Sequence, residues 1–304
     1  MHVLLLGTAA GGGFPQWNCS CASCRVARRD PKAALPRTQS SVAVSADGLH
    51  WFLLNASPDV REQVARLPSA HVSSATRHVP IEAVVLTDAE IDHSLGIVLL
   101  REAGCLPLYT TAAVRSILET DSRVLPVTRA FATVPWTELP IDAPLELRHR
   151  DGVRSGLSIE GFVVPAGAPR FATASERGHT IGLLVRELVT GRTCAFAPGC
   201  GDLSQPLLDR LARADVLLFD GTFWSDDELV AAGIGVRTAR EMDHLPVTGA
   251  GGSLQQLAAL PCRYRVYTHI NNTNPILLEH SPERAAVEQA GLTVGHDGLQ
   301  IDLK

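Results

Sequence analysis

The sequence predicts an α/β (α+β) fold in which two β-sheets pack face to face and helices cover their outer sides. Each half of the chain contains a hairpin signal, short apolar strand segments and amphipathic helix segments. No low-complexity linker separates the halves, and 45% of the 304 residues are hydrophobic, which suffices for one large domain or two small ones. Sheets and helices with one apolar face are buried by stacking in layers, which is the basis of this prediction.

In the first half, we predict strands at 3–6, 40–46, 51–55, 84–86 and 106–109, and helices that begin at Ser57 or cover 94–103 and 112–118. The strands are short runs of apolar and β-branched residues, as expected for buried strands. Asp47-Gly48 is a favoured hairpin turn between the second and third strands. Ser57 is a typical N-cap residue, and Pro58 suits the first helical position.

In the second half, we predict strands at 145–149, 157–164, 180–186, 194–197, 216–219, 265–267, 292–294 and 299–303, and helices over 204–212 and from Pro282 onward. Thr190-Gly191 provides the turn of a second hairpin. Ser281 and Pro282 repeat the helix-start signal of the first half. The two halves are therefore expected to contribute similar sets of strands and helices.

The composition argues against nucleic-acid and membrane functions. The net charge is −5 and only 5% of the residues are aromatic, so the chain offers neither a basic field nor a base-stacking surface. No apolar run approaches the ~20 residues that span a bilayer, and the N-terminal segment lacks the cationic start of a signal peptide. We therefore expect a cytoplasmic protein that does not span a membrane and binds no nucleic acid.

Three of the seven cysteines are concentrated in residues 15–24. Cys19, Cys21 and Cys24 form a C-x-C-x-x-C pattern that brings three sulfurs within reach of one ion. Three thiolates with a fourth ligand from elsewhere are typical of structural zinc sites, and a reducing cytosol favours such a site over disulfides. The alternative is three unrelated buried cysteines. We predict a structural zinc ion that holds this loop in place.

A cluster of acids and a histidine follows a predicted buried strand. Asp88, Glu90, Asp92 and His93 lie within six residues, where the carboxylates repel one another unless a cation binds. Side chains at a strand end are held rigidly, and functional sites are commonly built there. The alternative is a solvated loop in which Ser94 caps the next helix.

The order of these motifs resembles the metallo-β-lactamase superfamily, and most of the chain resembles a family within it that works in the biosynthesis of pyrroloquinoline quinone (PQQ). The resemblance is carried by GGGFPQWNCSCASC at 11–24, LNASPD at 54–59, TDAEIDH at 87–93 and YTHINNTNP at 267–275. It implies one domain over 1–304, a metallo-β-lactamase-like αββα four-layer sandwich of two mixed β-sheets flanked by helices. Its N-terminal half would carry the zinc loop 15–24 and the metal loop 87–93, and its C-terminal half would supply Asp220, His244 and His269.

The departures from the superfamily pattern bear on the chemistry. The usual H-x-H-x-D-H loop has Asp88 and Glu90 in place of its first two histidines and keeps Asp92 and His93. A further metal histidine in the second half is missing, and Gly199 stands where a bridging aspartate is expected. A zinc hydrolase uses such histidines to lower the pKa of bound water, so a degenerate zinc phosphodiesterase is the least favoured function.

The resemblance leaves Asp92, His93 and His269 as ligands of one active-site ion, although a lone histidine such as His269 is more often a core residue. Two histidines and one carboxylate are the ligand set of non-haem Fe(II) oxygenases. Asp88 and Glu90 lie beside the ion, where either could ligate it, hold a metal-bound water or orient His93.

Two further positions take their roles from the resemblance. His244 matches a histidine that handles the leaving group in related phosphodiesterases, and here it could be the general base for a phenolic proton, or a surface histidine. Asp220 could orient His244, bind metal, or be a solvated strand end. With Glu90, these residues are the catalytic candidates. Asn272 stands where related enzymes have a zinc histidine; because Asn is a poor zinc ligand, the fourth ligand could be Asn272, another residue or water.

The resemblance implies iron- and O₂-dependent hydroxylation of the tyrosine ring of a Glu–Tyr-derived PQQ precursor, with Zn²⁺ as the structural and Fe²⁺ as the active-site cofactor. The competing hypothesis is a carrier of PQQ or its precursor that serves transport to the periplasm without catalysis. The expected partners are therefore the precursor or PQQ itself. The sequence leaves the oligomeric state open, a homodimer included.

Overall fold

The computed structural model of the chain describes residues 1–70 and 76–304. In these residues the strands are β1 (His2–Gly7), β2 (Ser41–Ser45), β3 (Trp51–Leu54), β4 (Ile81–Val85), β5 (Leu108–Thr110), β6 (Trp136–Glu138), β7 (Pro144–Arg148), β8 (Arg154–Val163), β9 (Ile181–Glu187), β10 (Thr193–Ala197), β11 (Val216–Asp220), β12 (Tyr264–Thr268), β13 (Thr293–Val294) and β14 (Gln300–Asp302). The α-helices are α1 (Ala22–Arg29), α2 (Val60–Val64), α3 (Ile91–Ser94), α4 (Gly96–Leu99), α5 (Ala112–Thr120), α6 (Val124–Arg129), α7 (Gln205–Leu211), α8 (Glu228–Ala231), α9 (Ser253–Ala258) and α10 (Pro282–Gln289).

The described strands form two seven-stranded sheets, in the orders β14-β1-β2-β3-β4-β5-β6 and β13-β12-β11-β10-β9-β8-β7. In the first sheet β14, β1, β2 and β3 pair antiparallel, and β3 to β6 pair parallel. In the second sheet β7 to β10 pair antiparallel, and β10 to β13 pair parallel. Both predicted hairpins are present, and the prediction of two mixed sheets is confirmed.

The apolar side chains lie in three clusters that separate four layers. The central cluster joins the facing sides of the two sheets, with Val44 and Phe52 from the first and Val185 and Phe196 from the second. One further cluster packs the outer side of each sheet against helices. Residues 83–85 of β4 and 194–197 of β10 are buried on both faces of their sheets, and these parts of the strands are continuous apolar runs rather than alternating ones. The predicted αββα sandwich is confirmed.

The segment after β4 differs from the prediction. The helix predicted over 94–103 begins at Ile91 and is divided into α3, α4 and a 3-10 turn at Arg101–Ala103. Ser94, a helix cap in the alternative interpretation, lies inside α3, where its hydroxyl donates to the carbonyl of Glu90. The Asp88 carboxylate accepts from the backbone N–H of Glu90 at 2.9 Å and closes the turn that precedes α3. As a result, Asp92 and His93 lie on the first turn of α3 rather than in a loop.

Other differences are smaller. The helix predicted from Ser57 begins at Val60, because the Ser57 hydroxyl accepts from the N–H of Asp59 in a preceding turn. Strand β6 and helices α1, α6, α8 and α9 were not predicted. Within 1–70 and 76–304, no helix combines the length and the apolar character that crossing a membrane would need.

Candidate metal centre

A cavity of about 360 Å³ opens where the central strands of both sheets end. Asp88 and the first turn of α3 follow β4, Asp220 ends β11, and His269 directly follows β12. The cavity lining includes Asp92, His93, His244 and His269 together with Asp88 and Glu90, so the fold brings most of the predicted site residues to one place.

Asp92, His93 and His269 present one donor atom each within 4.8 Å of one another. The Asp92 carboxylate lies 3.3 Å from Nε2 of His269 and 3.9 Å from Nε2 of His93. Nε2 of His93 is buried and has no hydrogen-bond partner in the described part of the chain. Two imidazole nitrogens and one carboxylate oxygen that converge in this way fit a metal ion, which would also satisfy the buried nitrogen.

Asp88 holds His93 rather than joining this donor cluster. Both oxygens of its buried carboxylate lie 2.8–2.9 Å from Nδ1 of His93, and the hydroxyl of Thr87 donates to it at 2.7 Å. A proton on Nδ1 leaves the lone pair of Nε2 directed at the cluster. Of the roles left open for Asp88, the geometry favours orientation of His93.

The electrostatics of the cluster favour a positive charge. Burial alone would lower the pKa of His93, but the charges of Asp88 and Asp92 raise it to about 9. Burial, together with the same two carboxylates, raises the pKa of Glu90 to about 7. Glu90 lines the cavity but does not belong to the three-residue donor cluster, so its direct ligation and its catalytic role stay predictions.

Asp220 is the centre of a second buried network. Its carboxylate lies 2.7 Å from Nδ1 of His244 and 2.6 Å from the hydroxyl of Thr222, which in turn lies 2.8 Å from Nδ1 of His269. Burial would lower the pKa of His244, but the Asp220 charge and hydrogen bond raise it above its ordinary value. Asp220, His244 and His269 also present one donor atom each within 4.8 Å of one another. Because Asp220 already bonds His244 and Thr222, its geometry favours orientation of His244 over metal binding.

His269 has a left-handed backbone conformation, with φ at +54°. This conformation is uncommon for a residue with a side chain and costs on the order of 1 kcal/mol, so such residues concentrate at functional sites. The residue before it, Thr268, still belongs to β12, and the one after it, Ile270, donates its N–H to the carbonyl of Thr8. The turn at His269 therefore joins β12 to the segment that follows β1.

The three predicted zinc cysteines are also together. The sulfurs of Cys19, Cys21 and Cys24 lie within 4.8 Å of one another, and the side-chain nitrogen of Asn272 lies 3.1, 3.7 and 3.4 Å from them. Burial raises the pKa of Cys21 to about 11, which opposes three thiolates at one point in the absence of a cation. The Asn272 amide thus lies beside the three sulfurs through its nitrogen, and its oxygen would have to face the ion for Asn272 to be a ligand.

The two sites share a wall. Asn271 lines the cavity, and Asn272 contacts the cysteine sulfurs. Gly11, which precedes the cysteine loop, also lines the cavity. It lies so close to Asp92 that an added Cβ would meet the carboxylate oxygen of Asp92 at 3.3 Å.

Replacement of Cys21 by serine is expected to lower stability and metal retention together, because the loop at 19–24 and Asn272 lose their common attachment. Thermal unfolding and zinc content measured on the same preparation check this. Cys105→Ser, outside the cluster, is the control. Normal stability and normal metal content in Cys21→Ser would contradict the prediction.

Two cavity residues were missed by sequence reasoning. Thr222 links Asp220 to His269. The only feature of the sequence that points to Thr222 is its position two residues after an acid at a strand end. Arg170 is the one Lys or Arg side chain among the described residues that line the cavity, and it lies in a loop without a motif.

The chain belongs to the beta-lactamase superfamily. The family model described as "Beta-lactamase superfamily domain" matches residues 50–270. A diphosphatase from the PhnP family has the same fold, with a TM-score of 0.69 at 20% identity over 100% of this chain and 98% of the other.

Within that superfamily, the chain belongs to the family of coenzyme PQQ synthesis protein B. It is 43% identical to the protein of that name from Gluconacetobacter diazotrophicus, over 99% of both chains. It is 44% identical to the one from Methylobacterium radiotolerans, over 100% of both. The 1.98 Å crystal structure of zinc-bound PqqB from Methylobacterium extorquens superposes with a TM-score of 0.90 at 42% identity, over 100% of both chains.

Proposed function

We propose that this protein works in PQQ biosynthesis, where it hydroxylates the tyrosine ring of a Glu–Tyr-derived precursor with O₂ at a ferrous ion. The proposal is carried by one observation. Asp92, His93 and His269 converge as two imidazoles and a carboxylate, while the positions of the first two histidines of the hydrolase loop hold Asp88 and Glu90. The names of the related proteins support the pathway.

Asp92, His93 and His269 would hold the ion, which when bound supplies the activation of O₂. Cys19, Cys21 and Cys24 would hold a structural zinc ion, with Asn272 as the proposed fourth ligand. The cytoplasmic location, the single-domain organisation and a homodimer stay predictions.

His244 is the proposed general base. Its Nδ1 lies 2.7 Å from the carboxylate of Asp220, which keeps a proton on that nitrogen and leaves Nε2 as an acceptor. His244 lines the same cavity as the donor cluster, and its ring stacks on that of His269 with centroids 5.6 Å apart. It is therefore placed to take the phenolic proton of a tyrosine ring bound beside the ion.

Arg170 is the proposed carboxylate-binding residue. The cavity is otherwise acidic, since Asp88, Glu90, Asp92 and Asp243 all line it. A Glu–Tyr-derived precursor carries carboxylates that these acids would repel, so a cation at the rim is needed to hold it.

We expect Arg170→Gln to raise KM for the precursor about 10-fold, the loss of roughly one charge-assisted hydrogen bond, with kcat changed much less. Steady-state O₂ uptake against substrate concentration measures this. Arg177→Gln is the control, because Arg177 is exposed, pairs with Asp142 at 3.1 Å and does not line the cavity. An unchanged KM in Arg170→Gln would refute the assignment.

The function is tested with anaerobically purified protein. It should bind one ferrous ion per chain besides zinc, and it should consume O₂ when a Glu–Tyr peptide and a reductant are added. Because the related PqqB was crystallised with zinc, metals are measured before and after ferrous loading. A protein that binds PQQ tightly without O₂ uptake, and that accepts no redox metal, would support the carrier hypothesis instead.

A further inference from the structure

We propose that Thr222 is a positioning residue that sets which ring nitrogen of His269 carries the proton. Thr222 is buried, with 3% of its surface exposed, and its hydroxyl lies between Asp220 and His269. The inference concerns the same site as the proposed function, and it rests on that function only in treating His269 as a metal ligand.

The hydrogen bonds of Asp220 fix the direction in which Thr222 donates. One carboxylate oxygen accepts from the N–H of Cys200 at 3.0 Å and lies 2.7 Å from Nδ1 of His244. The other accepts from the N–H of Thr222 at 3.0 Å and from its hydroxyl at 2.6 Å. An ionised carboxylate and a carbonyl oxygen are both only acceptors, so the single proton of the Thr222 hydroxyl goes either to Asp220 at 2.6 Å or to the carbonyl oxygen of His269 at 2.8 Å. The contact with Asp220 is shorter and its acceptor is charged, which favours Asp220.

The same hydroxyl oxygen is then an acceptor for His269. It lies 2.8 Å from Nδ1 of His269 and 2.8 Å from the carbonyl oxygen of that residue. With its proton directed to Asp220, the hydroxyl favours a proton on Nδ1 and leaves Nε2 with a free lone pair. A metal ion requires that lone pair.

Asp92 favours the opposite arrangement in the absence of an ion. Its carboxylate lies 3.3 Å from Nε2 of His269, where it would accept a proton from that nitrogen. The two neighbours therefore compete. Asp92 is charged, but its contact with Nε2 is long at 3.3 Å, whereas the contact of Thr222 with Nδ1 is 2.8 Å, and the shorter contact favours the proton on Nδ1. In the other two histidines of the cavity, His93 and His244, a carboxylate accepts the proton of Nδ1 directly, without a hydroxyl in between.

The consequence is that Asp220 orients two histidines at once. It holds His244 directly and His269 through the Thr222 hydroxyl, so the proposed base and the proposed ligand share one anchor. Loss of the hydroxyl should turn His269 toward the tautomer with a proton on Nε2. The ion would then have to displace that proton, and its affinity should fall about 10- to 100-fold.

The test uses the full chain with Thr222→Val, which removes the hydroxyl at constant shape, and Thr222→Ser, which keeps it. The tautomer of His269 is measured without metal by nitrogen-15 NMR, at a pH where the imidazole is neutral, and its signals are assigned by their loss in His269→Asn. We expect the proton on Nδ1 in the wild type and in Thr222→Ser, and on Nε2 in Thr222→Val. Ferrous-ion affinity, measured by chelator competition, should fall only in Thr222→Val.

A wild-type protein with the proton on Nε2 of His269 would overturn the inference, whether or not Thr222→Val folds. So would equal ferrous affinity in a folded Thr222→Val protein, or a failure of Thr222→Ser to restore it. The proposed function fails separately: the expected tautomers and affinities without O₂ uptake would leave the role of Thr222 intact and refute the hydroxylase.

Discussion

Alanine at His269 is expected to abolish ferrous-ion binding and O₂ uptake while the zinc content stays unchanged. Nε2 of His269 lies 3.3 Å from the Asp92 carboxylate, and removal of the imidazole leaves two donors for the ion. Because changes in groups that merely support a ligand cost about 10- to 100-fold in affinity, the loss of a ligand itself should cost ~100-fold or more. The cysteine sulfurs do not contact His269, so their ion should remain.

The measurement is metal content per chain after anaerobic ferrous loading, followed by O₂ uptake on the same sample. His280→Ala is the matched control, since His280 is exposed and does not line the cavity. His93→Ala should lose iron as well, and it should also destabilise the fold, because it leaves the buried carboxylate of Asp88 without its partner. A His269→Ala protein that binds iron as well as the wild type would refute the ligand assignment.

Alanine at Gly96 is expected to destabilise the protein by about 1–3 kcal/mol or more, because backbone atoms leave no room for a methyl group. An added Cβ would lie 2.3 Å from the carbonyl oxygen of Ser57 and 2.6 Å from that of Ala56. The N–H of Gly96 donates to Ala56, and the N–H of Ala56 donates to His93. A shift at Gly96 should therefore also move the first turn of α3 and weaken ferrous binding.

The midpoint of urea unfolding measures the first effect, and ferrous affinity measures the second. Gly199→Ala is the matched control for stability, since a Cβ built there meets no described atom within 4 Å. A Gly96→Ala protein with wild-type stability would contradict the prediction, because the backbone of residues 56–57 would then move away from α4 at no measurable cost in free energy.

Much of the fold could be predicted because short apolar runs marked most strands and because typical turn and cap residues marked several of their ends. Asp220 and His269 were placed at or just after strand ends from such runs alone. That they meet Asp92 in one cavity followed only from the superfamily resemblance, since spacing along the chain carries no information about distance between residues so far apart.

The separate roles of neighbouring acids could not be predicted. Asp88 and Asp92 both lie close to His93 in the sequence, and their difference depends on where α3 begins. A helix that starts at Ile91 places Asp92 beside His269, while Asp88 makes the turn before it. Thr222 was missed for a related reason, because a threonine after Asp-Gly is an ordinary turn residue until its partners are known.

The pairing of β1 with β14 has a consequence for biosynthesis of the protein itself. His2 is opposite Asp302, so β1 is synthesised long before β14, the strand that covers one of its edges. The contacts of the cysteines at 19–24 with Asn272, and of Asp92 with His269, likewise form only after the later residue of each pair has been synthesised. Until then, the nascent chain has an uncovered strand edge and three thiols without their fourth neighbour, which are states prone to aggregation and oxidation. Neither site can assume its final geometry before residues 269–272, which follow β12, have been synthesised.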